Sequence, residues 1–402
     1  MALLPVADAI EQILGGVEPL PVESIGLSDA LGRVLAGDLV AQSNQPPSDL
    51  SAMDGYAVRG DDVTSSSVTL KVMGEAAAGH PFPKEIGSGE CARIFTGGVL
   101  PRGTDTIVIQ ENTTRDGDRV VITEPSKRGR HVRRAGIDFK KGDVLLKKGL
   151  RLSDRDLMLV AGMNYPSLKV YRAPRIAILG TGDELVPPGS QLKEGQIVHS
   201  SGYALAALIR AESAEVISLG VARDRVEDIV AHIRQAREAK ADVLLTTGGA
   251  SVGEHDLVQK ALAAEGLALS FWQIAMRPGK PMMHGRLGAM HVLGVPGNPV
   301  SSYVCTFLFL LPLIRRLSGR NDLHAPPIPA KLGRALPAND KREEYMRATL
   351  ETKNGELIAT PFPNQDSSLM APLAKAQCLI IRERFAPAAD EGAPCVIVKL
   401  GL

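Results

Sequence analysis

The sequence predicts a multidomain α/β protein, in which a three-layer α/β domain is combined with a helical/extended domain and two β domains. Between residues 173 and 324, strand-like runs alternate with helical runs, which is typical of a sheet covered by helices on both faces. Between residues 44 and 142, and again after residue 325, short β-like runs are broken by Gly and Pro. At 402 residues, the chain is also too long for one ordinary hydrophobic core.

These patterns predict four domains. Residues 1–43 and 143–172 form an N-terminal helical and extended domain, and the inserted β domain at 44–142 interrupts it. The α/β domain follows at 173–324, and a β-barrel-like domain at 325–402 completes the chain, after a Pro-rich linker. Residues 28–35 have an apolar face at helical spacing and predict a second helix in the first domain. We expect the insert to be barrel-like as well.

Composition and charge limit the classes of partner and the cellular location that the sequence favours. The formal net charge is +1, which favours neither nucleic acid nor an anionic membrane as the main partner. The four cysteines are far apart and form no C-x-x-C motif, so buried free thiols are expected. The N-terminus has no basic region typical of a signal peptide. The longest apolar run, at residues 303–314, contains Pro312 and is too short to span a bilayer. We therefore expect a cytoplasmic protein.

Gly-rich turns follow four strand-like runs of the α/β region, at residues 180–184, 247–256, 276–281 and 295–299. Glycine lets backbone N–H groups approach a ligand, and ligands of such sheets bind at the carboxyl ends of the strands. A dinucleotide fingerprint is excluded because Leu185 stands where its third Gly would be, and no Walker A sequence occurs. The turns predict an anion-binding pocket of another kind.

Acidic residues lie in or near these turns, namely Asp183, Glu184, Asp224 and Asp256. Any one of them is more often a helix cap or a solvated charge. Together, and beside Arg277 and Lys280, they indicate a site for a divalent metal and a phosphate, with Mg²⁺ held by hard oxygen ligands.

The inserted β domain carries its own candidates. Asp54 lies in a turn with Met, Gly and Tyr, and Thr96 directly follows another strand-like run. Basic residues crowd the stretch 127–141, which also contains Asp138. Such a run is usually a solvated face, although its glycines and Asp138 also suit a loop that contacts a phosphate.

Five motifs, at residues 51–57, 180–185, 248–256, 277–281 and 294–299, resemble the molybdopterin molybdenumtransferase family, which includes MoeA and the gephyrin E domain. The resemblance covers essentially the whole chain. It implies an elongated homodimer of four-domain subunits. It also implies an enzyme that takes adenylylated molybdopterin and molybdate and releases AMP as molybdenum enters the dithiolene. In this family the β insert of one subunit faces the α/β domain of the other.

The resemblance implies roles for particular residues. The active-site positions are Asp54, Thr96, Asp138, Glu184, Asp224 and Asp256, of which Glu184 and Asp256 are the expected ligands of Mg²⁺. We expect a backbone cradle for phosphate at Gly248, Gly249, Ser251, Gly297 and Asn298. Arg277 and Lys280 would counter the charge of molybdate or phosphate. The C-terminal domain would contribute Arg347 and Ser367 or Ser368.

Two positions depart from the family pattern. Gln273 stands where Lys is usual, and His199-Ser200-Ser201 replaces an Asp-Ser/Thr-Asn sequence. These departures keep a paralogue for tungstate or a cofactor variant among the alternatives. The others are a molybdopterin adenylyltransferase and a non-enzymatic scaffold. The implied protein partners are the adenylyltransferase and apo-molybdoenzymes or their chaperones.

Overall fold

The computed structural model describes residues 3–248 and 257–401. The chain forms two compact units. One comprises Met1–Ala36, Gly149–Leu152 and Lys169–Leu402, and we call it the main unit. The other comprises Gly37–Lys148 and Ser153–Leu168, and we call it the insert unit. The four-part division of the chain stays a prediction.

The strands, in chain order, are β1 (Val22–Gly26), β2 (Leu39–Val40), β3 (Leu50–Ser51), β4 (Gly55–Val58), β5 (Val68–Ala76), β6 (Glu90–Ile94), β7 (Thr106–Ile109), β8 (Thr113–Asp116), β9 (Arg119–Ile122), β10 (Val132–Arg133), β11 (Val144–Leu146), β12 (Ser167–Tyr171), β13 (Arg175–Thr181), β14 (Leu185–Val186), β15 (Ile197–Val198), β16 (Glu215–Ala222), β17 (Val243–Thr247), β18 (Ala268–Trp272), β19 (Met276–Arg277), β20 (Met283–Leu287), β21 (Met290–Val295), β22 (Ile328–Leu332), β23 (Glu343–Lys353), β24 (Glu356–Pro361), β25 (Cys378–Arg382) and β26 (Pro394–Lys399). The helices are α1 (Val6–Leu14), α2 (Asp154–Gly162), α3 (Ser201–Ala211), α4 (Val226–Glu238), α5 (Leu257–Ala264), α6 (Pro299–Cys305), α7 (Leu311–Leu317) and α8 (Met370–Lys375). A π-helical turn, Thr306–Leu310, joins α6 to α7.

The main unit is built on a six-stranded sheet in the order β16-β13-β17-β21-β20-β18. The first four strands are parallel, as the alternating pattern predicts. β20 is antiparallel to β21, and β18 is antiparallel to β20, so β18 again has the direction of the parallel strands. The sheet is therefore mixed at one side, although the four strands that carry Gly-rich turns all end at the same edge.

Helices cover both faces of this sheet. Alternate residues of β13 pack on opposite faces of the sheet. Ile176 and Ile178 join the apolar core formed with α1, α3, α6 and α7. Ala177 and Leu179, which point the other way, join the core formed with α4 and α5. The predicted three-layer α/β architecture is confirmed.

The most apolar helix of the described residues is continuous from Pro299 to Leu317. Its 19 residues make it long and apolar enough to cross a membrane, so the expectation that this run is too short is wrong. However, 78% of its most apolar window is buried inside the protein, which is typical of a core helix. Pro312 does not interrupt it, because the proline lies just after the π-helical turn Thr306–Leu310, where the regular i→i−4 hydrogen-bond pattern is already broken.

The C-terminal region of the main unit forms a closed barrel. Its five strands pair in the order β23-β24-β22-β26-β25, and β25 pairs back onto β23. The interior is filled by a small apolar cluster that includes Leu332, Ala348 and Ile380. The β-barrel-like prediction for this region is confirmed.

The insert unit contains a six-stranded sheet in the order β7-β4-β6-β5-β9-β8. Within the described residues, its end strands β7 and β8 do not pair with each other, so the expected barrel is an open sheet instead. The reason is local: β8 folds back through a tight turn at Gly117 and pairs with β9 alone. All four residues of β4 are buried, and they fix the position of Asp54 directly before it.

The second helix predicted at residues 28–35 is not formed. Leu27–Asp29 makes a single 3₁₀ turn. Val34 and Leu35 are extended and bridge to Arg151 and Val170. Both side chains are buried, so pairing with distant segments outweighs the local helical pattern.

Candidate active site

Four chain turns meet at the carboxyl edge of the main sheet. The strand register places Leu179, Thr246, Gly294, Met283 and Trp272 side by side across the sheet, close to that edge. The turns that follow β13, β17, β18 and β21 therefore lie along one edge, as the sequence predicts. This is the edge at which sheets of this kind bind their ligands.

Backbone packs directly against backbone at the centre of this edge. The Gly248 N–H donates to the Val295 carbonyl over 3.2 Å. Gly248 has φ +89°, and a Cβ there would lie 2.7 Å from the Thr181 carbonyl oxygen. A Cβ on Gly297 would lie 3.5 Å from the Cα of Gly248. Such close packing leaves a side-chain-free surface suited to an anion. Gly249, Ser251 and Asp256, also predicted for the site, lie outside the described residues.

Carboxylates line the edge next to this surface. The Asp183 N–H donates to Oδ2 of Asp224, and the Asp224 N–H donates to Oδ1 of Asp183, each over 3.3 Å. Glu184 is exposed, and a Cβ added to Gly182 would meet its carboxylate at 2.4 Å. The turns after β13 and β16 thus bring three acidic side chains close together.

Among residues 3–248 and 257–401, no group of three or more His, Cys, Asp or Glu side chains has a geometry that could hold a metal ion. Mg²⁺ in phosphate-transfer sites is commonly held by only one or two carboxylates, with water and substrate phosphate completing its shell. The exposed oxygens of Glu184 and the Asp183–Asp224 pair are hard donors that fit such an open site.

The start of the helix at Pro299 is joined to the C-terminal region. Asn298 precedes the helix, and its Nδ2 donates to Oγ of Ser367 over 2.9 Å. The Val300 N–H donates to the Ser367 carbonyl over 3.0 Å. Two predicted site residues, Asn298 and Ser367, are therefore in direct contact, and both lie beside a helix N-terminus that favours anions.

Arg347 lies beneath the loop that carries Ser367. It is only 1% exposed, and its Nη1 and Nη2 donate to the carbonyls of Leu369 and Asp366, each over 2.9 Å. Its Nε donates to Oε1 of Gln365 over 3.3 Å. Burial lowers the pKa of this guanidinium from its usual value. The observed role of Arg347 is to hold the loop 364–369, and a direct contact with substrate stays a prediction.

The two predicted cations differ in their surroundings. Arg277 in β19 forms ion pairs with Asp340, at 2.5 Å, and with Glu344, at 3.4 Å. Lys280 is half-buried, and its ammonium forms no hydrogen bond or ion pair with the described residues. Lys280 is therefore the better placed of the two to meet an anion, whereas the charge of Arg277 is already compensated.

In the insert unit, Asp54 and Thr96 form one hydrogen-bonded pair. Oδ1 of Asp54 accepts the Thr96 N–H over 2.7 Å and the Thr96 hydroxyl over 2.8 Å. The backbone N–H, followed by the hydroxyl, holds the pKa of the Asp54 carboxyl below its usual value. Asp54 is thus kept ionised and oriented.

Asp138 is exposed, and its N–H donates to the Gln45 carbonyl over 3.0 Å. Within the basic stretch before it, Arg134 pairs with Asp49 and Arg128 pairs with Asp105. The stretch is joined to the Asp54 turn, because the Ala52 N–H donates to the His131 carbonyl. The basic loop and the Asp54–Thr96 pair therefore belong to neighbouring segments of one unit.

A large cavity lies beside the carboxylates and was not predicted from the sequence. Its volume is about 910 Å³, and it extends along α3 and β16 from Gly182 and Asp183. His199, Tyr203, Ala206 and Arg210 line one side of it. Their spacing of four, three and four residues is that of one helix face. An aromatic residue and a cation on the same face of α3 were therefore the feature of the sequence that could have indicated the cavity.

Three family models together match most of the chain. The MoeA N-terminal region (domain I and II) matches residues 4–163, and the probable molybdopterin binding domain matches residues 177–316. The MoeA C-terminal region (domain IV) matches residues 329–400.

Relatives agree with this order. A molybdopterin molybdenumtransferase of Haemophilus influenzae is 36% identical over 369 residues, which cover 91% of each chain. One of Nostoc sp. is 38% identical and covers 83% of this chain and 78% of its own. The crystal structure of the molybdopterin biosynthesis MoeA protein from Pyrococcus horikoshii matches with a TM-score of 0.86 at 31% identity and covers both chains completely. The chain therefore belongs to the molybdopterin molybdenumtransferase family, with the regions of MoeA in their usual order.

Proposed function

We propose that this chain inserts molybdenum from molybdate into adenylylated molybdopterin and releases AMP, so that molybdenum cofactor is formed. Its curated relatives are named molybdopterin molybdenumtransferase, which supports the enzyme class and molybdenum insertion in cofactor biosynthesis. The single observation that supports the finer reaction is the carboxyl edge of the main sheet. There a side-chain-free surface at Gly248 and Gly297 lies beside the carboxylates of Glu184 and Asp224.

The proposed reaction breaks the phosphoanhydride bond between the adenylyl group and the molybdopterin phosphate. In this proposal the backbone N–H groups of Gly297, Gly249 and Ser251 hold the phosphates. Gly248, whose own N–H donates to Val295, lets the phosphates approach because it carries no side chain. Asn298 and Ser367 bound the same surface, and Lys280 supplies the free positive charge that molybdate or phosphate requires. Arg347 contributes indirectly, because it shapes the loop that carries Ser367.

Glu184 and Asp256, with Asp224 nearby, would hold Mg²⁺ on the phosphates of the substrate. When bound, Mg²⁺ neutralises phosphate charge and polarises the phosphorus that is attacked. Asp54, or alternatively Asp138, positions the attacking water in this proposal. The short hydrogen bonds from Thr96 favour Asp54, since they keep its carboxylate ionised and fixed.

The proposal includes a homodimer in the cytoplasm. Its site is completed by Asp54, Thr96 and Asp138 of a second subunit, as the resemblance implies. The expected protein partners are the molybdopterin adenylyltransferase, which would supply the substrate, and apo-molybdoenzymes or their chaperones, which would receive the product.

Release of AMP from adenylylated molybdopterin tests the proposal. With molybdate and Mg²⁺, the wild-type chain should release AMP and form molybdenum cofactor, whereas Glu184→Gln and Asp256→Ala should be at least 100-fold slower. Glu238→Gln, an exposed acid on α4, is the matched control and should behave like wild type. Wild-type turnover by both variants would overturn the scheme. Adenylylation of molybdopterin from ATP would identify an adenylyltransferase instead.

A further inference from the structure

Arg93 reaches across the strand that directly follows Asp54. It lies in β6, opposite Tyr56 of β4, and β4 lies between β6 and β7 in the six-stranded sheet of the insert unit. Nη1 of Arg93 donates to the Gly55 carbonyl over 3.2 Å, and Nη2 donates to Oε1 of Gln110 over 2.7 Å. One guanidinium therefore joins β6 to the first residue of β4 and to the residue that follows β7.

Both acceptors of Arg93 are in contact with Asp54. Gly55 is its neighbour in the chain, and the N–H of Gln110 donates to the Asp54 carbonyl over 3.1 Å. The backbone packs tightly at this point, since a Cβ on Gly55 would lie 2.0 Å from the Val108 carbonyl oxygen. Arg93 thus binds the two residues that hold the backbone of Asp54 in place.

Two aromatic rings pack against the same guanidinium. Its Cζ lies 5.3 Å from the centroid of the Tyr56 ring and 4.8 Å from that of the Phe95 ring, which is within the range of cation–π contacts. Phe95 directly precedes Thr96, which donates its N–H and its hydroxyl to Asp54. Arg93 therefore contacts the chain neighbours of both members of the Asp54–Thr96 pair.

The charge of Arg93 acts on Asp54 as well. The two hydrogen bonds from Thr96 lower the pKa of the Asp54 carboxyl most, and the positive charge of Arg93 lowers it further. A lysine in place of Arg93 would keep this charge, but it lacks the planar fork that donates to two acceptors in fixed directions. The charge and the geometry of the guanidinium can therefore be tested separately.

We propose that Arg93 is a positioning residue for Asp54, whose guanidinium fixes the Asp54–Thr96 pair in its reactive orientation without binding the substrate itself. This inference rests on the proposed function, in which Asp54 positions the attacking water. Fixing the carboxylate matters because a displacement of about 1 Å in a reacting group can slow an enzyme by about 100-fold.

The kinetics of AMP release by the full-length chain, with adenylylated molybdopterin, molybdate and Mg²⁺, test this role. Arg93→Lys keeps the charge and loses the fork, whereas Arg93→Gln loses both. Each variant should lower kcat by about tenfold or more and change KM by less than about twofold. The acid side of the pH profile should move to higher pH in Arg93→Gln, because the pKa of Asp54 rises without the neighbouring charge, and should move less in Arg93→Lys.

The matched control is Arg119→Gln, which changes an exposed arginine of β9 in the same sheet and should leave kcat, KM and the pH profile as in wild type. Two results would overturn the inference. A raised KM at unchanged kcat in the Arg93 variants would mean that the guanidinium binds substrate directly. A lower thermal stability with wild-type kcat and pH profile would mean that Arg93 only supports the fold.

Hydrogen exchange in residues 108–112 needs no turnover and separates this inference from the proposed function. Both Arg93 variants should accelerate exchange of the Gln110 N–H, which donates to Asp54, and Arg119→Gln should not. A chain that releases AMP with wild-type kinetics in both Arg93 variants refutes the positioning role alone. A wild-type chain that releases no AMP, although the Arg93 variants accelerate this exchange, refutes the proposed function alone.

Discussion

Thr96 acts on Asp54 through two donors of different kinds, and one of them can be removed by itself. Thr96→Val keeps the shape of the side chain and the backbone N–H but removes the hydroxyl, so the pKa of Asp54 should rise part of the way to its usual value. Because ionised Asp54 is the form proposed to act, activity should fall at a higher pH on the acid side than in wild type. The pH dependence of AMP release measures this shift.

The exposed Thr114→Val on β8 is the matched control and should leave the acid side of the profile unchanged. If Thr96→Val also leaves it unchanged, the Thr96 hydroxyl does not tune a carboxylate that matters for the reaction.

The sequence indicates Asp54 and Thr96 separately, each by its position next to a strand, but it cannot pair them. Forty-two residues separate them, and the hydrogen bonds depend on β4 and β6 lying side by side. The same limit applies to Arg347. The family resemblance implied that Arg347 contributes to the cleft, whereas its burial and its hydrogen bonds to oxygens of residues 364–369 follow from the path of the loop around it.

The loop 364–369 depends on that one side chain for much of its order. Arg347→Met keeps a long side chain but removes every donor, so the carbonyls of Asn364, Asp366 and Leu369 lose their hydrogen bonds to the guanidinium. We expect the stability of the protein to fall by about 2–4 kcal/mol. Backbone hydrogen exchange in residues 364–369 should accelerate more than in the rest of the barrel, and cofactor formation should decline because Ser367 loses its fixed position.

Arg334→Met, which changes an exposed arginine of the same region, is the control and should show neither effect. Wild-type exchange in residues 364–369 of Arg347→Met would show that the loop is ordered by other contacts.

The hairpin of β20 and β21 buries a proton-sensitive pair. Nη1 of Arg286 donates to Nε2 of His291 over 2.8 Å, so the imidazole proton lies on Nδ1 and points to Nε2 of His284 at 3.2 Å. Burial, with the nearby Arg286 charge, lowers the pKa of His284 to about 4 and that of His291 to about 3. Both rings are thus neutral in the fold.

In the unfolded chain these groups titrate near 6.5, so the fold binds fewer protons than the unfolded chain below that pH. The stability they provide is present above pH 6.5 and is lost as the pH falls toward 4, by roughly 1 kcal/mol per pH unit for each histidine. Denaturant titrations at pH 7.5, 6.0 and 5.0 measure the loss. In His284→Phe the stability should fall less between pH 7.5 and pH 5.0 than in wild type. Equal stability of the wild-type protein at all three pH values would contradict this account.

Elements were predictable where local pattern and tertiary packing agree. The strands and helices of residues 173–324 were found because buried β13 and the helices on its two faces show the periodicities of their packing. The helix predicted at residues 28–35 failed because Val34 and Leu35 satisfy their burial by bridging to distant segments. The strand β20 was not predicted, and its antiparallel pairing was equally hidden, since a strand sequence does not encode the sense in which it pairs.

At the scale of the molecule, the sequence pattern places four turns at one sheet edge because parallel strands end together. It does not reveal the cavity, because the space between α3, β16 and the turn after β13 depends on how these elements pack and not on the order of side chains along each of them. The remaining whole-molecule expectation, implied by the family resemblance, is that a second subunit supplies Asp54 to each site.

Paired inactive variants test this expectation. Asp54→Asn and Glu184→Gln should each be inactive as homodimers. Suppose that each site takes Asp54 from one subunit and Glu184 from the other. In a heterodimer of the two variants, one site would then carry both substitutions, and the other site would be wild type. A heterodimer isolated through two different affinity tags should therefore recover about half of wild-type activity. If each subunit builds its site alone, every site carries one substitution and the heterodimer stays inactive.

The pair Asp54→Asn with Asp138→Asn is the matched control, because both positions belong to the insert unit. Every site of that heterodimer carries one of the two substitutions whichever subunits combine, so it should be inactive in either case. Recovery in the first pair and not in the second assigns the two acids to different subunits. If neither pair recovers activity, Asp54 and Glu184 belong to the site of the same subunit. The dimer is then not part of the mechanism, and the chemistry proposed at the carboxyl edge is unaffected.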